Sequence, residues 1–80
     1  MTNYQKYVDV FTSCFEIDSK DVEKLEYQGI ENWDSVGHMG LIAALEDAFG
    51  IMMETDDIID FSSFEKGKEI LENKYGINFE

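Results

Sequence analysis

Trp33-Asp34-Ser35-Val36-Gly37-His38-Met39-Gly40-Leu41-Ile42-Ala43-Ala44-Leu45-Glu46-Asp47-Ala48-Phe49-Gly50 is the longest regularly patterned stretch of the chain. Its apolar residues recur at helical spacing, without the alternation of a strand, which predicts a helix from Ser35 to Phe49. Asp34 is a natural N-cap, because its carboxylate can accept from the free amides of the first turn. Gly50 is a natural stop, because a helix commonly ends on a left-handed residue. On a wheel of about 100° per residue, Leu41, Ile42, Leu45 and Phe49 share one arc with His38, and that arc reads as the core face. Val36, Met39 and Ala43 fall on another side, edged by Glu46, Asp47 and Gly40. This second strip either packs on another helix or serves as a docking strip for a partner. Gly37 and Gly40 each cost up to about 1 kcal/mol relative to Ala in a helix interior. They either permit close approach near Ser35 or are simply tolerated.

Working outward, Tyr4, Tyr7, Val8, Phe11, Cys14 and Phe15 form one stripe, which predicts a first helix from about Asn3 to Glu16. On this stripe Cys14 is expected to be a small buried hydrophobe. A long connection, Ile17 to Asp34, carries Val22, Leu25, Ile30 and Trp33 as apolar anchors, and a short helical turn can start at Ser19 or Asp21. A connection this long is usually functional or packed by its own side chains. Downstream, a short third helix is expected from Asp56 to Asp60. A fourth opens with Ser62-Ser63-Phe64-Glu65, read as a capping box with Ser62 at the N-cap and Glu65 three residues on. Phe64, Gly67, Ile70, Leu71 and Tyr75 form its inward face, and Gly76 ends it. The fold class is therefore all-α: a four-helix bundle with a short third helix and a long loop between helices 1 and 2, in one domain over residues 1–80.

Composition narrows the function. The formal net charge is −12, and all six basic residues are Lys. Such a chain is poorly suited to nucleic acid, whose phosphates are met by Lys and Arg. An anionic membrane surface would repel it. Between Lys24 and Lys66 there is no Lys, while Glu26, Glu31, Asp34, Glu46, Asp47, Glu54, Asp56, Asp57, Asp60 and Glu65 lie in that stretch. The acidity thus gathers around the second and third helices, which suits partners with basic patches approached under electrostatic steering. Hydrophobic residues make up 44% and aromatics 14%, enough to build a core. One Cys cannot form an internal disulfide. No run approaches the ~18 apolar residues of a membrane span, and no signal core opens the chain, so the expected compartment is the cytoplasm.

No catalytic or metal constellation is legible. One His and one Cys cannot make a structural zinc site without carboxylates. Asp56, Asp57 and Asp60 match calcium-loop spacing only loosely. His38 lies about one turn from Ser35, but a core or hydrogen-bonding role suits it better than a catalytic pair with that serine.

Asp34-Ser35-Val36, followed by Ala44-Leu45-Glu46-Asp47-Ala48-Phe49-Gly50-Ile51, resembles the acyl carrier protein family. That family opens its second helix with Asp-Ser-Leu and closes it with an ALE-E-FGI-like run at this distance. Phe61-Ser62-Ser63-Phe64 looks like the family's entry into its last helix, and the likeness covers about Ile30 to Leu71. The resemblance implies a non-enzymatic, monomeric carrier of the acyl-carrier four-helix type. It implies a 4'-phosphopantetheine cofactor, attached to Ser35 by a phosphopantetheinyl transferase using coenzyme A and magnesium. It further implies a partner face of Asp34, Val36, Met39, Ala43, Glu46, Asp47, Met53 and Asp56, meeting acyl- or aminoacyl-activating and transferring enzymes with basic docking patches. Typical fatty-acid carriers have acidic residues where Gly37 and Gly40 stand, and a proline where Glu54 stands. These departures weaken the acidic recognition edge, and Trp33 with Gly37-His38-Met39 looks more like carriers of specialised pathways: polyketide, lipid, cell-surface or amino-acid-loading systems. A peptidyl or aminoacyl carrier is the nearest alternative, and a cofactor-free acidic helical adaptor is an alternative from another class. Bulky aromatics such as Phe11, Phe15 and Phe49 are expected to restrict a long-chain pocket.

Overall fold

The computed structural model describes residues 2–79. In chain order they form α1 (Asn3–Phe15), a 3-10 helix (Ser19–Lys24), α2 (Ser35–Phe49), α3 (Thr55–Asp60) and α4 (Phe64–Tyr75). The described residues contain no strand, only one isolated antiparallel bridge between Glu26 and Ser63. The fold is all-α.

Each long helix is bounded by local chemistry. Thr2 caps α1 with a reciprocal pair: the Gln5 amide donates to Thr2 Oγ1, and the Thr2 amide donates to Gln5 Oε1. In α2 the Gly37 amide donates to Asp34 Oδ1 at 2.8 Å, and Gly50 closes the helix at φ 64°. The ends of α2 are those its sequence predicts. In α4 the N-cap is Ser63, whose hydroxyl accepts from the Lys66 amide at 3.0 Å, and not Ser62. The bridge explains this one-residue shift. The Tyr27 amide donates to the Ser62 carbonyl and the Phe64 amide to the Leu25 carbonyl, so Ser63 stays extended and the helix begins at Phe64. Glu65 is then one position too early to complete a capping box.

α1 packs chiefly on α2, while the 3-10 helix bridges α1 and α4. The core is aromatic. Tyr7, Phe11, Phe15, Trp33, Phe61 and Phe64 are all fully buried, and Phe11 meets Tyr7, Phe15, Trp33, Phe61 and Phe64 with ring centroids 5.0–6.3 Å apart. Rings in such pairs gain about 0.5–1.5 kcal/mol beyond the area they bury. Tyr7 keeps its hydroxyl satisfied by donating to the Phe64 carbonyl at 2.6 Å. Gly67 lets α4 lie against these rings: a β-carbon there would stand 2.1 Å from Phe61 and 2.5 Å from the Tyr7 hydroxyl.

The long connection is built rather than loose. Val22, Leu25 and Trp33 anchor it in the core, with Ile30 half-buried. The Gln28 amide donates to the Trp33 carbonyl, and Asn32 Nδ2 donates to the Phe15 carbonyl.

Cys14 is exposed and not part of the core. It sits at the edge of the α1 stripe, where the facing α2 side chains, Ala44 and Ala48, are too short to cover it. Partial desolvation still pushes its thiol pKa up, which disfavours the reactive thiolate.

Candidate functional site

Ser35 is the first residue of α2 and is exposed. Amides at a helix start have no intrahelical acceptor, and together with the helix dipole they favour an anion. Asp34 occupies the Gly37 amide; those of Ser35 and Val36 belong to the same open first turn. The Ser35 side chain stands at a surface cleft of about 360 Å³. Tyr27, His38, Met39, Ile58, Ile59, Phe61 and Ser62 complete its walls, so the cleft is bounded by the long connection, α2, α3 and the chain entering α4.

His38 is held from both sides. Trp33 Nε1 lies 2.9 Å from His38 Nδ1, and His38 Nε2 lies 2.8 Å from the Ile58 carbonyl oxygen. An indole N–H can only donate and a carbonyl can only accept. The imidazole is therefore satisfied as the neutral ring with its proton on Nε2. The Ile58 carbonyl is in the last turn of α3, where helix carbonyls need an outside donor. Both nitrogens are committed, so His38 is placed to tie α2 to α3 and not to take a proton from Ser35.

The second strip of α2 faces solvent and does not pack on another helix. Val36 is 80% exposed and Met39 54%, and Ala43 is exposed too. Asp34 and Asp47 at the two ends of α2 and Asp56 in α3 are exposed as well. Two predicted members of this face behave differently. Met53 is buried at 7% exposure, while Met52 is 87% exposed. After Gly50 the chain runs extended, so burial alternates from Ile51 to Glu54 and Met53 turns inward. Glu46 is half-buried, and one of its carboxylate oxygens accepts from the Met53 amide at 2.9 Å, which pins this reversal.

Ile59, 71% exposed, was invisible as a surface residue in the sequence, because a six-residue helix is too short for periodicity to distinguish its faces. Asp57, from the acidic run, is 2% exposed and belongs to the architecture. Lys74 Nζ donates to it at 2.7 Å and the Tyr75 hydroxyl at 2.6 Å. These hydrogen bonds, that of Lys74 first, lower the Asp57 pKa.

The two glycines of α2 also differ. A β-carbon on Gly37 would lie 2.0 Å from the Asn32 carbonyl oxygen, so the close approach at this position is made by the chain itself. A β-carbon on Gly40 would meet nothing within 4 Å. Among the described residues, no helix is long and apolar enough to cross a membrane. Comparison with known protein families, curated proteins and solved structures finds no match for this chain.

Proposed function

We propose that this chain is an acyl carrier of the four-helix acyl-carrier type, with a phosphopantetheine arm attached at Ser35, serving a specialised pathway. One observation carries the reading: an exposed serine opens a capped helix at the mouth of an apolar cleft, next to an exposed apolar strip on an acidic chain. The residues fit the group. The Ser35 hydroxyl is accessible, the helix start favours a phosphodiester, and the cleft offers an apolar wall to the pantetheine and its cargo. In the attachment step the Ser35 oxygen would bond to the phosphorus of coenzyme A that bears the pantetheine, the diphosphate P–O bond would break, adenosine 3',5'-bisphosphate would leave with its electron pair, and the serine proton would pass to a base of the transferase. The attached arm supplies a terminal thiol that holds an acyl group as a thioester. Val36, Met39, Ala43, Met52 and Ile59 provide apolar contact for partner enzymes, and Asp34, Asp47 and Asp56 the charge that steers basic patches toward it. Methionine suits a surface that must fit several partners.

A cofactor-free adaptor would use the same exposed strip, so the test must read Ser35 itself. The protein is incubated with coenzyme A, magnesium and a broad-specificity phosphopantetheinyl transferase, and its intact mass is measured. The expected result is a gain of one phosphopantetheine, absent in Ser35→Ala. No gain, or an equal gain in the variant, refutes the carrier reading.

A further inference from the structure

The His38 strap has a consequence for cargo, one that rests on the carrier reading of Ser35. We propose that His38 is a positioning residue that keeps cargo in the surface cleft and out of the helical core, and that the chain is therefore built for short acyl groups. Ser35 and His38 line the same cleft from one helix, one turn apart. The imidazole spans from α2 to the Ile58 carbonyl on α3 and is backed by the Trp33 indole. Its ring also lies against Trp33, Tyr27 and Phe61 at centroid distances of 5.3–6.1 Å. His38 and Phe61 line the cleft together, and their rings stand between it and Trp33 and Phe11. Passing the His38 ring breaks both hydrogen bonds and strands the Trp33 N–H and the Ile58 carbonyl in apolar surroundings, a costly outcome for buried polar groups. Behind these two rings stand Phe11, Phe15 and Trp33, all within 1% of full burial. An interior at close-packed density admits extra methylenes only by displacing such rings.

The test loads the full chain separately from acetyl-coenzyme A and octanoyl-coenzyme A with a broad-specificity transferase. Intact mass verifies one attachment, and methyl NMR spectra of the two loaded forms are compared. The expected change from acetyl to octanoyl is a shift of the Met39 and Ile59 methyls, with Leu45 and Leu71 unmoved. In His38→Ala the octanoyl form shifts Leu45 and Leu71 as well, while His38→Gln, which retains a donor for the Ile58 carbonyl, stays like the parent. Shifts of Leu45 and Leu71 in the parent protein overturn the proposal. So does a folded His38→Ala that keeps the parent pattern. If His38→Ala does not fold, His38→Asn, too short to bridge Trp33 and the Ile58 carbonyl, is read in its place with the same expected shift, and a folded His38→Asn that keeps the parent pattern overturns the proposal. Absence of any mass gain removes the carrier reading, and this proposal with it.

Discussion

Gly37→Ala and Gly40→Ala place the same methyl group three residues apart on one helix, and their surroundings give the two changes opposite signs. At Gly40 the new β-carbon enters open space. The change gains only the helix propensity of Ala and the reduced freedom of the unfolded chain, about 0.4–1 kcal/mol. At Gly37 the β-carbon would stand 2.0 Å from the Asn32 carbonyl oxygen, against 3.4 Å for an ordinary contact, and 3.4 Å from Asp34 Oδ1. The obstacle is backbone, and Asn32 is itself tied to the Phe15 carbonyl. Relief means moving the segment that carries Trp33 and the Asp34 cap. Overpacking of this kind costs about 1–3 kcal/mol, which outweighs the propensity gain. Thermal unfolding followed by far-UV circular dichroism reads both. For a domain of this size, 1 kcal/mol is about 4–8 °C in Tm, so Gly40→Ala should melt several degrees higher and Gly37→Ala several degrees lower than the parent. A Gly37→Ala variant as stable as the parent would refute the close-approach reasoning.

Gly67→Ala should destabilise by about 1–3 kcal/mol, because its β-carbon meets the buried Phe61 ring and the Tyr7 hydroxyl; denaturant titration checks it. Asp57→Asn should cost about 1–3 kcal/mol at neutral pH by weakening hydrogen bonds to a buried charge. Since folding lowers the Asp57 pKa, that stabilisation is present above the ordinary value of 3.8 and is lost as pH falls through the lower folded value, so the gap between parent and variant should narrow in acid. Tyr4 runs the other way. Its hydroxyl donates to Glu23 at 2.6 Å, and this hydrogen bond first, then burial, raises its pKa to about 12. Tyr4→Phe should be less stable by about 0.5–1.5 kcal/mol below pH 10, with the difference vanishing as pH rises toward 12.

Much of this molecule is legible from neighbours along the chain. The caps of α2 at Asp34 and Gly50, its two apolar arcs and the stop of α4 at Gly76 all arise from side chains acting within a turn or two, whereas Ser35 stands out through a family resemblance. Periodicity and capping are short-range physics, so one sequence displays them. What lies opposite a residue is a different question, and only tertiary packing answers it. Cys14 shares a stripe with Phe11 yet is exposed, because the α2 residues facing it are alanines. Met53 and Met52 are chemically identical, and the direction of an extended turn decides which is buried. Ser63 displaces Ser62 as a cap because Glu26, far away in sequence, pairs with it. Gly37 and Gly40 are one residue type in one helix, separated only by the carbonyl of Asn32. His38 becomes a strap because Trp33 and Ile58 arrive from two other segments with one donor and one acceptor at the required distance. Local sequence sets the long helices and puts a serine at the start of the second. The fold decided which atoms surround that serine, because those contacts join residues that only chain closure brings together.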